Sequence, residues 1–180
     1  MGHLHLMINH IPVVGLLFGV ALLAVGMKKN STDLNLAALC TFLFISVVAL
    51  AVFFTGDPAE DVLKKVAGIN EKELEKFIAP HEEAGLVFLI TMIVAGIISA
   101  FGIFKFSKTK VLNPTLLKAL LAVSIIALLL AGRTAQLGGQ IRHSEVRAAS
   151  ISGLAEASED NLGEQDNYEN GMPEPANSSK

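Results

Sequence analysis

The sequence predicts an all-α integral membrane four-helix bundle with a disordered acidic tail, and three observations carry that expectation. Four apolar runs, 11–27, 35–54, 84–104 and 115–132, come close to the ~20 residues and ~30 Å of helix that cross a hydrocarbon core. Hydrophobic residues make up 52% of the chain, and its mean hydropathy is +0.53. Of the charged residues only Lys118 falls inside a run, one turn from an end, where its aliphatic stem can carry the ammonium to the interface.

Span one starts near Pro12, a residue suited to a first helical turn. Its positive charges, Lys28 and Lys29, follow the apolar stretch, which argues against a cleavable signal peptide and for an N-terminus outside. Gly15 and Gly19 in this span, and Gly96, Ser99, Ala100 and Gly102 in span three, predict close packing of helices within one bundle rather than a dimerisation face. Span two holds the single cysteine, Cys40, expected as a small core residue; the chain has no disulfide framework and no CxxCH site for a c-type haem.

Between spans two and three lies a loop expected to carry short amphipathic helices. Asp57-Pro58-Ala59-Glu60 has the order of a cap, a first-turn proline and a third-position glutamate, so both carboxylates can satisfy free backbone N–H groups. Asn70 and Glu71-Lys72-Glu73 predict a second short helix, whose Leu74, Phe77 and Ile78 would rest on the membrane surface or cap the bundle. The loop then forms a lid. Pro80 is expected to open span three and to place His81 in its first turn, with Glu82 and Glu83 beside it as caps; capping does not account for His81 itself.

The stretch after span four, Gly132 to Glu145, has two readings. If the helix continues, Arg133, Gln136, Gln140 and His143 fall within about 80° of one another at 100° per residue, a polar stripe that faces a partner. If Gly138-Gly139 ends the helix, the stripe is lost and His143 lies in a loop. Two adjacent glycines cost a helix roughly 1 kcal/mol each relative to alanine, which favours something bulky, a helix or a flat cofactor, approaching the backbone there. From Ala155 to Lys180 the chain carries seven acids and one base, too little apolar surface to offset ordering entropy. The expected domains are 1–147, the transmembrane bundle, and 148–180, the tail.

Alternate threading of the four spans brings His10, the Thr55–Glu60 turn, the His81 segment and the Arg133–Glu145 stretch to one face. Lys28 and Lys29 in the first short loop, and Lys105, Lys108 and Lys110 in the third, mark the other face as cytoplasmic. Both termini and the histidine cluster are therefore expected outside a cell inner membrane. The candidate ligands are His10, His81 and His143, with Arg133, Arg142, Gln136 and Gln140 around them, an arrangement suited to a haem or transition-metal site at a bundle end. His3 and His5 are set aside as too near the terminus. No acid lies at the midplane and no helix is broken, which argues against a proton-coupled transporter or an ion channel.

The chain resembles a family of uncharacterised bacterial four-helix membrane proteins. Asn9-His10-Ile11-Pro12, Thr55 to Glu60, His81-Glu82, and Arg133-Thr134-Ala135-Gln136-Leu137-Gly138-Gly139-Gln140-Ile141-Arg142-His143 carry the resemblance, over roughly residues 3–147. It implies the same four-helix fold and no established activity.

Three functional readings remain. One is an electron-transfer protein in which two of the histidines ligate a b-type haem or a smaller metal centre, with Arg133 or Arg142 on propionates or a quinone. Another is a non-catalytic subunit of a larger respiratory or transport complex. The last, a metal-dependent hydrolase, lacks an HExxH motif. Membrane lipid and, on the outer face, a quinone or a redox partner protein are the expected partners; no nucleic acid is expected.

Overall fold

The computed structural model describes residue 5, residues 7–56 and residues 71–142, all of them in helices or the turns that join them. The chain divides into two units, Met1–Ile141 and Arg142–Lys180; apart from Arg142 the second unit, with the expected acidic tail, lies outside the described residues, as do Asp57 to Glu60 and His143. Among the described residues there are four helices: α1 (His10–Lys28), α2 (Thr32–Phe54), α3 (Glu71–Thr109) and α4 (Pro114–Arg142). Each is long and apolar enough to cross a membrane, with mean hydropathies of 2.2, 2.7, 2.6 and 2.3 in their best windows.

Short turns make neighbours antiparallel. At the end of α1, Asn30 takes a left-handed conformation (φ 49°). The Ser31 N–H then reaches the Gly26 carbonyl at 2.9 Å and the Asn30 N–H the Met27 carbonyl at 3.3 Å, a Schellman closure. Ser31 at once caps α2 through its hydroxyl. At the far hairpin Asn113 accepts from the Thr115 N–H at 2.8 Å, with Pro114 in the first helical position.

The α2 helix is the centre of the bundle, in close backbone contact with both α1 and α3. Its buried residues, Asn35, Ala38, Leu39, Phe42, Ile45, Ser46 and Ala49, recur every three or four positions and form one face. Gly19 meets that face: a Cβ there would stand 3.1 Å from the Phe42 ring, so Gly15 and Gly19 serve packing within the chain, as expected. Gly96 lets α3 approach equally closely, and the Ser46 hydroxyl bonds the Met92 carbonyl at 2.6 Å across the gap. Ser99 and Gly102 are buried as well, whereas Ala100 is exposed. Cys40 corrects the expectation of a core residue. It is exposed, because it lies about 160° around the helix from Phe42, on the face turned away from the core.

A second correction concerns α3. The short helix expected from Asn70 and the span expected from Pro80 are one helix of 39 residues, with Pro80 in its interior. Leu74 and Ile78 are 1% and 4% exposed, so they are covered by protein rather than resting on a membrane surface. At about 1.5 Å per residue α3 is roughly 58 Å long, nearly twice a ~30 Å hydrocarbon core. Its excess lies before the apolar run at 84–104. The α4 helix also outruns its apolar run, through Gly138-Gly139 to Arg142, so the paired glycines do not end it.

Candidate functional site

The projecting parts of α3 and α4 meet at His81. Its Nδ1 donates to the Thr134 carbonyl of α4 at 3.0 Å, and the half-buried ring rests on Gly138, where an added Cβ would stand 3.0 Å from Cε1 and 3.2 Å from Nδ1. Gly138 falls on the face of α4 that carries the buried Leu120, Ala127 and Ala131, so it continues the core stripe beyond the apolar run. The bulky neighbour expected at the paired glycines is therefore the His81 imidazole. Gly139, by contrast, has nothing within 4 Å of its Cβ position.

The local geometry fixes the tautomer. A carbonyl only accepts, so Nδ1 carries the hydrogen, and in the neutral ring Nε2 is left with its lone pair. His81 is thus held as metal-ligating imidazoles usually are, by an Nδ1–H bond to a backbone carbonyl. The helix begins ten residues earlier at Glu71, so His81, Glu82 and Glu83 are not in a first turn and the expected capping role of the two acids does not apply.

His5 is held in the same way. Its Nδ1 lies 3.1 Å from the Val52 carbonyl and 3.2 Å from the Thr55 hydroxyl, which itself donates to Val52 at 2.8 Å. The ring therefore ties the N-terminal turn to the end of α2, and its Nε2 too is the nitrogen away from the carbonyl. His5 stands near enough to His81 for its charge to act on that ring. Sequence reasoning set His5 aside; the available signal was its position one helical turn before Asn9, confirmed by the Asn9 N–H bond to the His5 carbonyl at 2.9 Å.

Of the other sequence-derived candidates, His10, Arg133 and Gln136 are exposed and are not gathered around His81. His10 is exposed on the side of α1 opposite its buried face and pairs with the neighbouring Asn9 side chain, which makes no cap bond to α1. It heads a lipid-facing groove between α1 and α2 lined by Val14, Phe18, Cys40 and Phe44. Arg133 and Gln136 are exposed on the face of α4 turned away from the core, and Gln140, half-buried, shares that stripe. The Arg142 side chain and His143 lie outside what is described. Among the described residues no three histidine, cysteine or acidic side chains gather as a metal cage.

Compared with known proteins, the chain matches no family model, and no curated protein or solved structure matches it significantly. The resemblance drawn above rests on its motifs alone.

Proposed function

We propose that the His81 end of the bundle is an extracytoplasmic cofactor site of a multi-pass inner-membrane electron-transfer protein, with a b-type haem the group it fits best. The observation that carries this reading is the His81 imidazole, locked by Thr134 and Gly138 with Nε2 as its remaining coordinating atom. His5, fixed by a carbonyl of α2, offers a second nitrogen of the same kind. His81 and His5 would hold the haem iron through their Nε2 atoms, a two-histidine set where a structural zinc ion takes four ligands. Bound there, haem would supply a one-electron couple; the protein's own part is to orient both rings and to set His81 basicity through the Thr134 carbonyl. A quinone partner fits the groove below His10, whose apolar walls suit an isoprenoid tail. Arg142 and His143, next in the sequence after Ile141, are candidates for propionate contact and for an alternative ligand.

Titration of the purified full chain with haemin under reducing conditions tests the assignment. Wild type is expected to give a saturable low-spin spectrum with a sharp α band, His5→Ala to weaken it and His81→Ala to abolish it. Identical spectra for wild type and His81→Ala would remove His81 from the site.

The exposed Arg133 and Gln136 favour a second reading. A polar stripe on the outer face of a helix that outruns the apolar run suits a protein partner, as in a non-catalytic subunit of a larger complex. Co-purification with a partner that Arg133→Glu releases, in protein free of haem and metal, would support that reading over the first.

A further inference from the structure

The opposite end of the bundle carries a site of different chemistry. A cavity of about 420 Å³ opens between the last turns of α3 and the first turn of α4, with apolar lining from Phe101, Gly102 and Leu116 and polar lining from Lys105, Thr109 and Asn113. Lys105 keeps its ammonium 5.7 Å from the Phe101 ring centroid, which holds the cation beside the opening instead of extended into water. Lys108 and Lys110 stand over Phe104 and Phe106, each at 5.9 Å, and Lys118 follows in α4. The first turn of α4 carries no acidic side chain, so no carboxylate there repels an anion. Phe101 and Val111 are apolar yet 52% and 67% exposed at the same opening.

We infer that this cavity binds one anionic phospholipid, the phosphate beside the Lys105 ammonium and an acyl chain along Phe101 and Leu116. Cations around an apolar opening match an amphiphile of that charge. A zwitterionic headgroup would set its own cation among the lysines, and a free anion would leave the apolar lining uncovered.

The test is native mass spectrometry of the full chain in an uncharged detergent, titrated with phosphatidylglycerol or with phosphatidylcholine of the same acyl chains. Phosphatidylglycerol is expected to be retained one per chain and in preference to phosphatidylcholine. Lys105→Gln should weaken that binding about fivefold, the factor one lysine near an anionic surface typically supplies. Lys105→Arg should preserve it, and Lys28→Gln, which removes the same charge at the same end outside the cavity lining, should leave it unchanged. Millimolar inorganic phosphate should not displace the lipid. Equal retention of the two lipids, equal loss in Lys105→Gln and Lys28→Gln, or displacement by phosphate would each overturn the assignment.

Discussion

Adjacent glycines in one helix should respond in opposite ways to the same methyl group. Gly139→Ala adds a Cβ to open space, so it should gain the helix propensity of alanine, up to about 1 kcal/mol. Gly138→Ala gains the same propensity but sets its Cβ 3.0 Å and 3.2 Å from two atoms of the His81 ring. Both contacts are several tenths of an ångström too short. The ring is rigid and held by the Thr134 carbonyl, so it can yield only by stretching that bond, and overpacking of this kind costs about 1–3 kcal/mol. The balance is a Gly138→Ala protein between unchanged and about 2 kcal/mol less stable, and a separation of about 1–3 kcal/mol between the two variants. Thermal unfolding of the purified chain in detergent measures it, each kcal/mol corresponding to about 2–4 °C for a chain of this size. Gly138→Ala should also perturb any spectrum that depends on His81, whereas Gly139→Ala should not. Equal shifts in the two variants would refute the contact between α3 and α4 on which the site is built.

Two buried serines should likewise diverge. Ser46 shares its one hydroxyl hydrogen between the Phe42 and Met92 carbonyls, at 2.7 Å and 2.6 Å, so Ser46→Ala should cost about 0.5–1.5 kcal/mol in equilibrium unfolding. The Ser99 hydroxyl is buried without a partner among the described residues, so Ser99→Ala should be neutral or stabilising in the same assay. Orientation is checked by single cysteines introduced after Cys40→Ser: labels added from outside should reach Gly68→Cys and Ser158→Cys but not Ser31→Cys or Thr109→Cys, and the reverse pattern would place the His81 end in the cytoplasm.

The bundle was legible because burial in a membrane is written as runs of apolar residues, and all four runs fall within the helices observed. The true length of α3 was less so. Pro80 has the same local meaning at a helix start as in an interior that tolerates it, yet Leu74, Ile78, His81 and Ala84 continue a three-and-four spacing straight across it, which is the signal of one helix. Cys40 was misplaced because in an all-apolar helix hydrophobicity does not distinguish the lipid face from the core face. The buried Asn35 and Ser46 mark the side of α2 that packs, whereas its alanines fall on both sides, Ala38 and Ala49 buried and Ala37 and Ala51 exposed. In the candidate site, His81 was singled out by its residue type alone. The partners of His81 and His5 were out of reach of sequence reasoning, because backbone carbonyls 53 and 47 residues away leave no trace in side-chain identity. Between Gly138 and Gly139 nothing local decides which one packs.

The absorption spectrum of the protein purified from its native membrane, recorded with iron, copper and zinc analysis of the same sample, tests the central claim most directly. A cofactor site at His81 predicts a Soret band and a sharp reduced α band, or else stoichiometric transition metal, in wild type and neither in His81→Ala. Full-length, folded protein with no haem and no metal would contradict it and leave the polar end of α3 and α4 as an interface for another subunit.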